Sequence, residues 1–365
     1  MIYNGKLGLV QRVLPSYRAP FFDALAASCA GGLSLFAGQP RADEAIAGAA
    51  GLRVAQLAPA HNLHFGRASS ALYFCYQRGL EDWLAAWAPD ALVIEANFRY
   101  LSTPAAVRWM HSRKRPVLGW GLGAPADRGP LSGLRRRFLL GFDVLIAYSA
   151  RGAEQYAACG FPVEKIFVAP NAVAPAPQHP LPARPDRFDL RPVVLFVGRL
   201  QPRKRLPALL RACASLPSPL QPRLVIVGDG PELDALRALA ANLYPSAEFV
   251  GARHGPELEP YFRAADLFVL PGTGGLAVQE AMSYGLPVIV AQGDGTQDDL
   301  VRPGNGWQVP PDDDAALADV LRQALSDVAR LRAMGAASYR IVAEEINLEK
   351  MVGVFVEALN KSKHA

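Results

Sequence analysis

The chain has 365 residues, 51% of them hydrophobic and 19% charged, with a net charge of +5 and a pI near 9.1. That length exceeds one ordinary core and suits two domains. The mild basic excess fits anionic ligands or an acidic membrane surface better than nucleic acid, and no nucleic-acid partner is expected.

The opening MIYNGKLGLVQRV lacks the long apolar core of a signal peptide. No stretch reaches the roughly 18 apolar residues a spanning helix needs. Cys29, Cys75, Cys159 and Cys213 stand singly, as buried thiols do in a reducing compartment. These features point to the cytoplasm. The first half then offers the strands LGLVQRV, LSLFAG, ALVIEAN, RPVLGWG, DVLIAYS and KIFVAP, with Ala/Leu-rich helical runs between them. Tyr17 and Arg18 stand just before a helix, and Glu95, Asn97 and Arg99 follow a strand. His61 and His64 in HNLHFG have metal-like spacing but no third ligand, so they are read as loop residues. No metal site is expected. HSRKRP and GLRRRFLLGF set basic residues beside apolar ones, as a solvated helix face or an anionic-membrane contact would.

Pro170 to Pro192 is rich in proline and polar residues without periodicity, which marks a connection between domains. The expected division is 1–170, a linker over 171–192, a second domain over 193–343, and a last helix over 344–365. The second half repeats the strand–helix alternation through PVVLFVG, RLVIVG, AEFVGA, DLFVLP and PVIVAQ. Near-continuous apolar strands alternating with helices predict parallel sheets covered on both faces, hence an α/β chain with two doubly wound domains. The run Asp312–Asp314 precedes a helix and reads as capping rather than as a metal site.

Three strand–loop–helix units in this half share one design. They are FVGRLQPRKRL around Gly198, IVGDGPEL around Gly228, and LPGTGGLAVQEAM around Gly272, Gly274 and Gly275. In a parallel sheet such turns lie at the carboxyl edge, where ligands bind. Glycine lets the backbone approach a ligand, and the following helix presents free N–H groups and a positive dipole end. Arg199 and Lys204 add cations suited to a phosphate. The alternative is that the glycines only make tight turns and the two cations are solvated. Glu280 lies beyond the third loop. It suits hydrogen bonds from sugar hydroxyls, or else it is a surface glutamate stabilised by the helix dipole.

These motifs together resemble the C-terminal domain of the GT-B nucleotide-sugar glycosyltransferases of family 4. The resemblance covers Val193 to Leu321 well and the first half more loosely, through LPSYRAPFFDALA and ALVIEANFRYLST among others. It implies a GT-B fold, with two Rossmann-like doubly wound parallel-sheet domains facing a central cleft, and hexosyl transfer with retention of configuration. Arg199 and Lys204 match the basic pair that grips the donor diphosphate. Gly198 and Gly228 belong to the donor loops. Gly274, Gly275, Leu276 and Ala277 match the loop and helix start whose amides touch the phosphates. Glu280 matches the second glutamate of the family's E-x7-E motif, which commonly binds the donor ribose. Arg253 and His254 fall in the turn that usually borders the base. The final helix is expected to cross back to the N-terminal domain.

Two positions depart from the family pattern. Gly272 stands where the first glutamate of E-x7-E is expected, and Leu122 where many relatives carry a histidine. On this resemblance a nucleotide-diphosphate sugar is the co-substrate, and neither a cofactor nor a metal ion is expected. The acceptor, a saccharide or lipid-linked saccharide, falls to the first half. Tyr17, Arg18, Asn97 and Arg99 are its candidate contacts, and Glu95 is the candidate acidic group. The competing readings are a partner subunit that binds nucleotide sugar without turnover, which Gly272 and Leu122 favour, and a GT-B sugar-nucleotide epimerase, which the low histidine count disfavours.

Overall fold

Apolar β-branched runs make the strands here, and the two large sheets they form are wholly parallel. This computed structural model describes residues 1–41, 44, 46–67, 70, 72–124, 132–273, 276–293 and 295–362. The chain divides into two units, Met1–Val173 with Leu348–Ala365, and Ala174–Asn347.

In chain order the first unit contains β1 (Leu7–Val13), α1 (Ala19–Ala27), β2 (Leu33–Gly38), β3 (Gln56–Pro59), β4 (His61–Phe65), β5 (Phe74–Arg78), α2 (Leu80–Trp87) and β6 (Ala91–Glu95). It continues with α3 (Thr103–His111), β7 (Val117–Gly121), α4 (Ser132–Leu139), β8 (Val144–Ala147), α5 (Ala150–Ala158) and β9 (Ile166–Val168). The seven-stranded sheet has the order β3-β2-β1-β6-β7-β8-β9. Strand order therefore reverses between β1 and β6. Strands β2 and β8 are buried along their whole length, as expected for a sheet covered on both faces.

The strands β4 and β5 pair antiparallel as a separate ribbon, with Leu63 opposite Tyr76. HNLHFG is thus a strand and not a loop. Its residues alternate between exposed and half-buried, and a five-residue segment with two histidines lacks the apolar run that marks a core strand. His64 Nδ1 lies 2.7 Å from the Tyr73 hydroxyl, with the two rings stacked.

The second unit contains β10 (Val193–Val197), α6 (Leu206–Ser215), β11 (Arg223–Val227), α7 (Leu233–Leu243), β12 (Ala247–Gly251), α8 (Glu259–Ala264), β13 (Leu267–Leu270) and α9 (Leu276–Ser283). After these come β14 (Val288–Ala291), α10 (Thr296–Leu300), β15 (Gly306–Val309), α11 (Asp314–Leu325) and α12 (Val328–Arg340). Its six strands have the order β12-β11-β10-β13-β14-β15, so the reversal falls between β10 and β13. Asp313 caps α11 by accepting from the Ala316 amide at 2.9 Å, while Asp314 pairs with Arg205 and Arg211.

From Ala174 onward, the proline-rich stretch is part of this second unit. Proline denies it a regular ladder, so side chains attach it. Arg184 donates to the carbonyls of Phe262, Arg263, Ala265 and Tyr284. The ring of His179 stacks on Tyr284 at 4.7 Å.

The last helix, α13 (Leu348–Ser362), returns to the first unit. Its buried residues Leu348, Met351, Val352, Phe355, Val356 and Leu359 recur at helical spacing. Phe355 meets Phe21 and Trp120 with ring centroids 5.0 Å apart in each case. Burying each such side chain stabilises the unit by roughly 1.5–3 kcal/mol.

Candidate functional site

Both sheets are parallel, so each reversal of strand order opens a crevice at the carboxyl edge. In the second unit the loops after β10 and β13 flank that crevice. A Cβ built at Gly228 would lie 1.9 Å from the Gly198 carbonyl oxygen, and one at Gly272 would lie 2.1 Å from that of Arg203 and 2.6 Å from Lys204 Cα. No side chain fits at either position while the backbone keeps this path. The second and third glycine loops are therefore each packed against the first, backbone on backbone.

Lys204 lies at the centre of this packing. It ends a short 3-10 turn (Pro202–Lys204), only 8% of it is exposed, and its Nζ donates to the Thr273 carbonyl at 2.7 Å. The Thr273 amide returns a bond to the Arg203 carbonyl at 3.0 Å. The Lys204 ammonium has no carboxylate partner among the described residues. Burial, and secondarily the charge of Arg203, lower its pKa to about 8. Arg199, in the same loop, is exposed, while the next amide, Leu200, bonds to the Asp229 carbonyl and so fastens the first loop to the second.

Gly274 and Gly275 lie outside the described residues. Leu276 and Ala277 are the first two residues of α9, and Glu280 is on its second turn. Glu280 is part-buried, and burial raises its pKa. Arg253 and His254 follow β12 at the outer edge of the sheet, two strands from β10. The His254 amide donates to Glu257 Oε2 at 3.3 Å, which gives this turn a capping role of its own.

In the first unit the corresponding edge holds a cavity of about 520 Å³, lined by Tyr17, Arg18, Glu95, Asn97 and Arg99 together. These five residues, scattered in sequence, are brought to one place by the loops after β1 and β6. Arg18 is buried, donates to Asn171 Oδ1 and the Ala172 carbonyl, and lies 5.4 Å from the ring centroids of both Trp120 and Tyr148. Glu95 Oε2 accepts from the Arg12 amide at 2.6 Å. Burial pushes the Glu95 carboxyl up to about 7, with the Arg12 amide and charge opposing. Leu122 also lines the cavity, so the position where relatives carry a histidine presents an apolar side chain.

A family model described as "Glycosyl transferases group 1" matches residues 181–341. A GDP-mannose-dependent alpha-(1-6)-phosphatidylinositol monomannoside mannosyltransferase of Mycobacterium tuberculosis is 30% identical over 274 residues, 70% of this chain and 69% of that protein. The chain belongs to the group 1 glycosyltransferases. A GDP-mannose-dependent alpha-mannosyltransferase of the same organism is 40% identical, but over only 33% of this chain and 31% of that protein. The solved structure of the lipopolysaccharide outer core galactosyltransferase WaaB superimposes with a TM-score of 0.69 at 16% identity, covering 98% of this chain and 99% of WaaB. Anabaena HepE in complex with UDP gives the same TM-score at 17% identity over 98% and 99%. At that identity the likeness shows the fold, which is GT-B.

For this group 1 glycosyltransferase, sequence reading missed several residues of the first-unit cavity: Trp120, Tyr148, Phe98, Arg135 and Asn171. Trp120 and Tyr148 fall within the strand runs RPVLGWG and DVLIAYS. Their signal was a polar-tipped aromatic at the carboxyl end of a parallel strand. Among the described residues no group of three or more His, Cys, Asp or Glu side chains is placed to hold a metal, and no helix is long and apolar enough to cross a membrane.

Proposed function

We propose that this glycosyltransferase moves a hexose from a nucleotide-diphosphate sugar to a saccharide or lipid-linked saccharide, with retention of anomeric configuration and without a metal ion. The observation that carries the reading is Lys204, a buried ammonium at the reversal point of the second sheet that donates to the Thr273 carbonyl and has no carboxylate partner among the described residues. A diphosphate oxygen supplies the missing counter-charge. Arg199 and the N-terminus of α9, through Leu276 and Ala277, add to the same field, and the sequence motif assigns Gly274 and Gly275 to the same phosphates. Gly198 and Gly228 keep the loop backbones close. Glu280 takes the donor ribose, and Arg253 and His254 border the base. The mannosyltransferase relatives favour GDP-mannose as donor.

In the transfer, the bond from the anomeric carbon to the diphosphate oxygen breaks and a bond to the acceptor oxygen forms on the same face. The acceptor's hydroxyl proton passes to the departing phosphate oxygen. Lys204 and Arg199 stabilise the charge that grows there, which is the reason no metal is needed. On the acceptor side Glu95 accepts a hydrogen bond from the attacking hydroxyl, beside Tyr17, Arg18, Asn97 and Arg99. Helix α4, with Arg135, Arg136 and Arg137 next to exposed Leu134 and Leu140, supports peripheral contact with an anionic membrane. Gly272 favours a second reading, a partner subunit that binds nucleotide sugar without turnover.

A thermal-shift panel of GDP-, UDP-, ADP- and dTDP-sugars on wild type and Lys204→Met tests the donor site. A shift with GDP-mannose that the variant loses is the expected result, because a ligand of the folded state stabilises by mass action. No shift with any nucleotide sugar overturns the proposal. Binding without transfer to any acceptor selects the second reading.

A further inference from the structure

The first-unit cavity has a charge balance that specifies more than a saccharide. Arg18, Arg99 and Arg135 line it, against one carboxyl among the described lining residues, Glu95. Neither Arg18 nor Arg99 has a carboxylate partner among the described residues. Even fully ionised, Glu95 offsets only one of the three arginine charges, and burial favours its neutral form. The walls are aromatic: Tyr17, Trp120 and Tyr148 surround the Arg18 guanidinium at 5.4–5.6 Å, and Phe98 lies 5.0 Å from that of Arg135. Trp120 Nε1 is buried and has no acceptor among the described residues. A neutral sugar would use the aromatic faces and leave two arginine charges without a counter-ion in a low-dielectric site, which is costly. An anionic group on the same ligand satisfies both demands, and a planar guanidinium matches phosphate geometry.

We infer that this cavity binds a phosphorylated sugar or cyclitol, with the ring against the aromatic walls and the phosphate facing Arg18 and Arg99. The inference rests on the reading of the first unit as the acceptor side and narrows the acceptor to an anionic class. Two sources share this chemistry, a soluble sugar phosphate and the phosphodiester headgroup of a glycolipid.

The test is isothermal titration calorimetry at pH 7 with glucose 6-phosphate, glycerophosphoinositol, glucose and myo-inositol. It is run on the full chain as wild type, Arg99→Gln, Arg99→Lys and Lys204→Met. At least one phosphorylated ligand is expected to bind tenfold or more tightly than its neutral parent. Arg99→Gln should remove most of that preference, while Arg99→Lys, which keeps the charge, retains part of it. Lys204→Met should leave it intact, which separates this cavity from the phosphate loops of the second unit. A preference for glucose 6-phosphate assigns the soluble source, and one for glycerophosphoinositol the lipid headgroup. Equal binding of neutral and phosphorylated ligands overturns the inference. So does a preference lost in Lys204→Met but kept in Arg99→Gln. The same ligands are then offered as acceptors with GDP-mannose. Binding in the cavity with neither glycosylated product nor inhibition of transfer overturns the acceptor reading and leaves the anion site standing.

Discussion

Each sheet reverses its strand order once, between β1 and β6 in the first unit and between β10 and β13 in the second, yet the two crevices are built from opposite materials. The second is made of backbone: glycines at 198, 228 and 272 let three loops pack together, with one buried ammonium between them. The first is made of side chains: arginines, aromatics and one carboxyl surround a cavity of about 520 Å³. Under the proposed function, the backbone surface suits a donor diphosphate, and the side-chain surface, which can change residue by residue, suits the variable partner, the acceptor. The difference explains why a second unit can resemble a family closely while the first resembles it loosely.

Substitutions at four positions test this contrast, in order of expected effect. Lys204→Met should lower kcat/KM by about 10²–10³, the usual loss when one fixed donor to a developing charge is removed. Steady-state kinetics on purified variants give the answer, and a loss under threefold would remove Lys204 from the donor site. The lysine also predicts a pH limit. Its folded pKa of about 8 lies below the ordinary 10.5, so the stability it contributes is present above 10.5 and lost as pH falls through 8. Lys204→Met should therefore melt higher than wild type at pH 7. Donor affinity should weaken above pH 8 as the ammonium loses its proton, and Lys204→Arg should not show that break.

Glu95→Gln should lower transfer by about 10² at pH 8, within the range of positioned acid–base groups. Wild-type rate should rise through pH 7 as the carboxyl ionises, and the variant's profile should be flat there. The stability sign runs the other way. The raised pKa favours the fold fully below 4.5, and that contribution is lost as pH rises through 7. Melting curves at pH 5 and pH 8 should thus converge in Glu95→Gln.

The two smaller effects are on stability. Gly272→Ala should destabilise by about 2 kcal/mol, the scale of overpacking, because its Cβ meets the Arg203 carbonyl. By the same reasoning Gly272→Glu should not improve transfer, although it restores the family residue. A gain in rate would show that the loop moves aside easily. Gln279→Leu should cost about 1 kcal/mol by denaturant titration. Its buried amide donates to the carbonyls of Ile346 and Ala174, each close to a point where the chain crosses between the units, and so holds α9 to both segments. An unchanged midpoint would show that these bonds add nothing.

Legibility followed the same division. The core strands of both sheets were readable because burial on two faces demands unbroken apolar runs, as in β1, β2 and β11. The edge strands β3 and β15 and the ribbon β4–β5 were not, because partial exposure lifts that demand and their polar or short runs show no apolar stretch, whereas the equally part-exposed edges β9 and β12 keep one. The glycine loops were legible because glycine at a strand end marks a tight turn or a close backbone approach. Gly272 looked like a lost glutamate in sequence. In three dimensions the position has no space for any side chain.

By itself the sequence determined the two parallel sheets, the glycine loops at their carboxyl edge and the family to which they belong, because these follow from local periodicity and backbone chemistry. Only the tertiary structure decided that Tyr17, Arg18, Glu95, Asn97 and Arg99 share a cavity with Trp120 and Tyr148, that Lys204 is buried with a carbonyl for company, and that Glu95 titrates near neutrality. Those facts depend on desolvation and on contacts between residues far apart in the chain, and no local pattern encodes either.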